Sequence, residues 1–188
     1  MVEAPLTARL QRWWPAAAGA GALLFVAVML ITGSRPESRQ LVKFEANGIM
    51  RLAPERITRA EIRFGDRTLA LSRTGEKTWS RDGRIALDAG LAARLSMAIQ
   101  FMNTSEPVRE LSAEELQGTE LHEYGLDQPR LSVSLFEGST QVLTARFGVH
   151  NPGGLLQYMT VDGRQEVFLM SRFVGEQWEH VAQELASK

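Results

Sequence analysis

The sequence predicts an α+β fold in which an N-terminal transmembrane helix precedes an antiparallel sheet meander packed with two amphipathic helices. Three patterns support this prediction. The twenty residues from Trp13 to Thr32 contain no charge, amide or histidine. Further along, short segments alternate apolar and polar residues between turn signals, as half-buried strands do. Two longer segments repeat apolar residues every three or four positions, which is typical of helices that pack on a sheet.

The N-terminal apolar run has the length of a membrane-spanning helix. At about 1.5 Å per residue, twenty helical residues cover roughly 30 Å, the hydrocarbon thickness of a bilayer. Arg9 and Arg12 precede the run, so we expect the N-terminus in the cytoplasm, although Arg35, Arg39 and Lys43 make the positive-inside count nearly even. A cleavable signal peptide and a buried soluble helix are the alternatives. We predict a cytoplasmic tail over 1–12, a transmembrane helix over 13–33, a connector over 34–47 and an extracytoplasmic domain over 48–188.

Small residues occupy the first half of the apolar run. Ala16 and Ala20 lie four residues apart, as do Ala17 and Gly21. Such spacing lets another helix approach closely within a bilayer, so we predict that this face packs on an integral membrane partner. The alternative is that alanine is simply common in such segments and marks no interface.

Composition excludes several functional classes. The chain has 21 Lys and Arg against 22 Asp and Glu, without blocks of like charge. Nucleic acids and anionic lipid surfaces require concentrated positive charge, so neither is an expected partner. The absence of cysteine excludes disulfides, thiolate metal sites and cysteine nucleophiles.

The first half of the outer domain predicts a hairpin followed by a helix. Apolar and polar residues alternate from Ala60 to Phe64 and again around Leu69 and Leu71, on either side of a Gly-Asp turn. Trp79 is a predicted core residue beneath this hairpin. Asp88 can cap a helix whose apolar stripe comprises Leu91, Leu95, Ala98, Ile99 and Met102.

The second half predicts a four-stranded meander and a final helix. Ser112 and Glu115 have capping-box spacing, and Gly125 suits the left-handed position just after a helical turn. The final helix follows Ser171. The predicted strands cover 131–135, 143–147, 158–161 and 167–170, and the helix stripe comprises Val174, Trp178, Val181 and Leu185.

The sequence predicts no catalytic, cofactor or metal site. His122, His150 and His180 are the only histidines, and no spacing among them is typical of a metal site. Ser132 and Ser134 lack a nucleophile motif and fit the polar side of a strand. The glycine-rich connection after Gly148 lacks the Lys-Ser/Thr of a phosphate-binding loop. Because loops on rigid sheets often carry recognition, the predicted partner-docking residues are His150, Asn151, Pro152, Gly153 and Gly154.

Several segments resemble domain-of-unknown-function family 4340. They are the run from Phe44 to Met50, Ile57, Glu61-Ile62, Trp79 and Gly148, and above all the Tyr-Gly-Leu-Asp-x-Pro element over 124–129. The resemblance covers roughly 44–185. It implies a single-pass protein of the bacterial inner membrane with a periplasmic α+β domain, often associated with gliding-motility-type ABC transporter components, and it carries no established catalytic residues.

These observations favour a non-catalytic, membrane-anchored accessory subunit of a larger inner-membrane complex, with an ABC-type transport auxiliary component as the leading interpretation. A structural subunit or assembly factor of a membrane enzyme or energy-transducing complex is the main alternative. A periplasmic ligand-binding module is a further one, and a hydrolase is the weakest. No cofactor is expected.

Overall fold

The computed structural model describes residues 18–29, 46–118 and 120–187. The chain divides into two compact units, Met1–Phe44 and Glu45–Lys188. In the first unit, residues 18–29 form helix α1. The large apolar side chains of this helix are exposed: Leu23, Leu24, Phe25, Val26, Val28 and Met29.

The predicted fold class is wrong in its first element. In the part of the chain that the structure describes, no helix has both the length and the apolar character needed to cross a bilayer. The predicted transmembrane helix over 13–33, and the classification as a single-pass membrane protein that depended on it, are corrected accordingly. Residues 13–17 and 30–33 lie outside the described residues.

The second unit is built on a nine-stranded antiparallel sheet, larger than the predicted hairpin and meander. The strand order across the sheet is β4-β3-β2-β1-β6-β7-β8-β9-β5. Each run of consecutive strands forms a meander, and β1 joins the two runs by pairing with β6. The strands are β1 (Arg59–Phe64), β2 (Arg67–Arg73), β3 (Trp79–Arg81), β4 (Ile85–Ala86), β5 (Arg109–Leu111), β6 (Leu131–Glu137), β7 (Thr140–His150), β8 (Leu156–Val161) and β9 (Val167–Ser171).

One face of the sheet carries the core. Helices α2 (Ala89–Thr104) and α3 (Arg172–Ser187) pack on each other, and α3 also lies against β1, β6, β8 and β9. The predicted apolar stripes of both helices are confirmed. Their buried members are Leu91, Leu95, Ala98, Ile99 and Met102 on α2, and Val174, Trp178, Val181 and Leu185 on α3.

Trp79 closes the core at the β3 end of the sheet, as predicted. Its ring is fully buried, and its Nε1 donates a hydrogen bond of 3.1 Å to Ser96 Oγ on α2. The Arg73 guanidinium stacks 4.6 Å from the ring centroid and donates to backbone oxygens of Ile57, Pro54 and Glu76. Burial lowers the pKa of this guanidinium, and the nearby Glu55 carboxylate acts in the opposite direction.

The predicted helix and turn signals lie where expected. Asp88 is the N-cap of α2, and its Oδ1 accepts a hydrogen bond of 2.9 Å from Leu91 N. The Ser112 and Glu115 side chains form the reciprocal bonds of a capping box, Glu115 N to Ser112 Oγ and Ser112 N to Glu115 Oε2. Bonds from the Ser112 backbone and then from the Arg109 side chain lower the pKa of the Glu115 carboxyl.

Strands β3, β4 and β5 were not predicted. They have three, two and three residues, too few for an alternating pattern to be recognised. Both outer edges of the sheet, β4 and β5, are therefore very short, which limits the unpaired backbone available for edge-to-edge aggregation.

Candidate functional site

The three histidines do not form a common site. His122 lies in a 3-10 turn, Leu121–Tyr124, whereas His150 ends β7 and His180 lies on α3. Within 18–29, 46–118 and 120–187, no group of three or more His, Cys, Asp or Glu residues could hold a metal ion.

The predicted docking loop is the connection between β7 and β8. Asn151 organises it: its Oδ1 accepts hydrogen bonds from Leu155 N at 3.1 Å and Leu156 N at 3.0 Å. Its backbone N–H donates to Leu156 O, and its carbonyl accepts from Gly154 N. The loop is therefore fixed by its own polar groups, with Pro152 and Gly153 at the tip.

The start of α3 holds the far end of this loop. Arg172 N donates to Leu155 O at 3.0 Å, and Arg172 Nη1 donates to Gly154 O at 3.2 Å. Arg172 also forms an i,i+4 ion pair with Glu176. The backbone N–H and the carbonyl of Leu155 are therefore both hydrogen-bonded, which fixes the position of this residue.

Exposed apolar side chains occur at the end of the loop and at the start of α3, which are joined by the hydrogen bond from Arg172 N to Leu155 O. Leu155 is 76% exposed and Phe173 is 43% exposed. Phe173 stacks edge-to-face on Phe101 of α2, with ring centroids 5.0 Å apart, and Met97, one turn before Phe101, is 47% exposed. We call Met97, Phe101, Leu155 and Phe173, with the loop His150–Gly154, the Leu155 surface.

A second candidate site lies on the sheet face opposite the helices. Arg63 of β1, Ser132 of β6 and Arg146 of β7 lie side by side, because Arg63 pairs with Ser132 and Ser132 pairs with Arg146. We call these three residues the arginine row. Arg63 Nε donates to Ser132 Oγ at 3.0 Å, and Arg146 Nη1 lies 2.6 Å from Asp162 Oδ1. The polar strand face predicted from Ser132 and Ser134 is thus present, although Ser132 is only 8% exposed.

Two grooves meet at the arginine row. One, of about 310 Å³, has a polar floor that includes Thr68, Ser134 and Thr144. The other, of about 560 Å³, runs between the β8–β9 turn and the segment 121–129. Arg63 and Arg146 line both grooves, so the two guanidinium groups lie where the grooves join.

The Tyr-Gly-Leu-Asp-x-Pro element builds the wall of the larger groove. Gly125 has a φ of 65° and ends the 3-10 turn, and Leu126 N donates to Leu121 O at 2.9 Å. Leu126 is buried, and the Tyr124 and Tyr158 rings are 4.6 Å apart. Close packing of this wall requires glycine at Gly148, since a Cβ there would lie 2.0 Å from Tyr124 O.

The predicted helix-packing residues are partly described. Ala20 and Gly21 are exposed on α1, and a Cβ built at Gly21 has no described heavy atom within 4 Å apart from its chain neighbours and the backbone of its own helix. Ala16 and Ala17 lie outside the described residues. The packing role of these four residues stays a prediction.

Comparisons with protein-family models, with curated proteins and with solved structures find no match. They neither confirm nor refute the resemblance to domain-of-unknown-function family 4340.

The docking role predicted for the loop 150–154 stays a prediction, and Leu155, the most exposed large apolar residue of the described second unit, was not predicted. The turn residues Gly153 and Gly154 are followed directly by Leu155 and Leu156. This pattern could have indicated an apolar residue immediately after a turn. The arginine row was also not predicted. Its residues are neighbours only because of the register in which β1 pairs with β6, and the sequence of one strand does not determine that register.

Proposed function

We propose that this chain acts as a non-catalytic accessory subunit that binds a partner protein through the Leu155 surface. The observation that supports this proposal most directly is the exposure of Leu155 on a loop fixed by Asn151 and Arg172. A preordered apolar anchor binds without the entropic cost of ordering a flexible loop. Adjacent aromatic and methionine side chains are the types enriched in protein interfaces.

The identity of the complex is the finer part of the proposal. The family resemblance favours an auxiliary role in an ABC-type transport complex, with the domain on the periplasmic side. A structural subunit or assembly factor of a membrane enzyme or energy-transducing complex would use the same surface. The partner that co-purifies with the chain distinguishes the two: transporter components favour the first role, and subunits of another complex favour the second.

Replacing Leu155 by glutamate is expected to weaken partner binding about 30-fold, which corresponds to the loss of an interfacial hot spot of about 2 kcal/mol. The reason is that a carboxylate would be desolvated where the partner now receives an apolar side chain. The measurement is quantitative co-purification of the full chain from gently solubilised cells, with the recovered partner identified by mass spectrometry.

Ile85→Glu is the matched control. Ile85 lies on the edge strand β4 and is 64% exposed, so this substitution makes the same chemical change at a site away from the Leu155 surface. Both variants should keep the wild-type unfolding midpoint, because neither side chain is in the core. Equal recovery of the partner with Leu155→Glu and with Ile85→Glu would contradict the proposal.

A further inference from the structure

We propose that the arginine row binds a single oxyanion, a carboxylate or a phosphate group, at the junction of the two grooves. The inference does not depend on the Leu155 surface, whose aromatic side chains belong to the helix side of the sheet. It rests on the placement of Arg63, Ser132 and Arg146, on their unused hydrogen-bond donors and on the charge balance of the grooves.

The placement brings two guanidinium groups to either side of one hydroxyl. Since neighbouring strands are about 4.8 Å apart, the Cα atoms of Arg63 and Arg146 are separated by roughly 10 Å on the same face. Ser132 lies between them in register with both. Two long side chains at this separation can converge on a group bound above the serine.

The residues of the arginine row keep hydrogen-bond donors with which they could bind a ligand. Arg63 uses Nε for Ser132 Oγ, and its terminal nitrogens make no hydrogen bond with any residue that the structure describes. Ser132 Oγ accepts that bond, so its own proton is available to donate. Arg146 contacts Asp162 through Nη1 and keeps further N–H groups for a second acceptor. Guanidinium forks bind carboxylate and phosphate oxygens in pairs, which makes oxyanions the matching ligand class.

The surrounding charges limit the ligand to one anionic group. Asp162 already pairs with Arg146, and Glu61 pairs with Arg59 at 2.7 Å. Arg63 has no carboxylate within ion-pair distance among the described residues. Asp127 and Arg164 also line the larger groove, and their opposite charges offset each other, which leaves the charge of Arg63 as the excess. The site therefore suits one carboxylate or phosphate, not a polyanion.

The direct test is a titration of the isotope-labelled full chain with sodium acetate and, separately, with sodium phosphate, at constant ionic strength set with sodium chloride. NMR signals of the Ser132 and Arg146 amides and of the Arg63 Nε–H report binding. We expect saturable shifts confined to the arginine row. Tighter binding of acetate would identify a carboxylate as the natural group, such as an acidic side chain of a partner, and tighter binding of phosphate would identify a phosphoryl group.

Substitutions distinguish anion binding at the arginine row from a general attraction of anions to positive charge on the protein. Arg63→Gln should weaken binding about ten-fold or more, because charge-assisted hydrogen bonds are lost. Arg63→Lys should give an intermediate loss, since it keeps the charge without the fork. Arg84→Gln, which removes an equal charge from the exposed β3–β4 turn, should bind as wild type.

Folding of each variant is checked by its unfolding midpoint and by the shifts of core methyl groups. A folded Arg63→Gln variant that binds either anion as wild type does would overturn the proposal. So would an absence of saturable shifts in the arginine row with both anions.

Discussion

Replacing Trp79 by alanine is expected to lower the free energy of unfolding by about 3–5 kcal/mol, the usual range for removing a buried tryptophan. The ring is fully buried between β3 and α2, so its removal leaves a cavity and takes away the hydrogen bond that Ser96 Oγ accepts, although Ser96 Oγ still donates to Ala92 O. It also removes the surface on which the Arg73 guanidinium stacks. Chemical denaturation monitored by circular dichroism measures the change.

Phenylalanine substitutions at Trp79 and Trp178, both of which are buried, provide the control. Trp79 Nε1 is hydrogen-bonded, whereas Trp178 Nε1 is buried without a hydrogen-bond partner in the described part of the chain. Trp79→Phe should therefore destabilise by about 1 kcal/mol more than Trp178→Phe, the typical net value of one hydrogen bond. If Trp79→Ala unfolds within 1 kcal/mol of wild type, the assignment of Trp79 to the core is wrong.

Replacing Gly148 by alanine is expected to destabilise the chain by about 2–3 kcal/mol, in the upper part of the range for overpacking. The new Cβ would lie 2.0 Å from Tyr124 O and 3.0 Å from Leu126 Cγ. Because a backbone carbonyl cannot rotate away as a flexible side chain can, the segment 121–129 must move off the sheet. Denaturation curves measure the loss, and NMR shifts of Tyr124 and Leu126 amides locate it.

Gly153→Ala tests the same substitution in the neighbouring loop. A Cβ at Gly153 would meet Asn151 Nδ2 at 3.5 Å, which is ordinary contact, so we expect a change within about 0.5 kcal/mol. Comparable stabilities for the Gly148 and Gly153 variants would show that the Tyr124 segment does not pack on β7 as described.

The parts of the fold that were predictable are those whose signal is local. The α2 stripe and its Asp88 cap follow from residue spacing, and Gly125 follows from the need for a left-handed residue where a helical turn ends. The arginine row could not be predicted in this way. Its key hydrogen bond joins residues 69 positions apart in the sequence, and the pairing depends on how two meanders align along β1 and β6.

The wrong prediction at the N-terminus has a different cause. Hydropathy counts uncharged residues, and the run from Trp13 to Thr32 satisfies that count. Composition alone does not establish a membrane span, and among the described residues no helix is long and apolar enough to cross a bilayer. Leu155 shows the opposite limitation: an apolar residue after a turn is normally assigned to the core, but this side chain is 76% exposed, on a backbone that Asn151 and Arg172 hold by hydrogen bonds.

Site-specific photo-crosslinking tests the proposed accessory role most directly. A benzoylphenylalanine placed at Leu155 in the full chain, in native cells, should yield one light-dependent adduct with the protein that co-purifies with wild type and is lost with Leu155→Glu. The same group at Ile85 should yield no such adduct. Crosslinking of that protein at Ile85 but not at Leu155, or at neither position, would contradict binding through the Leu155 surface.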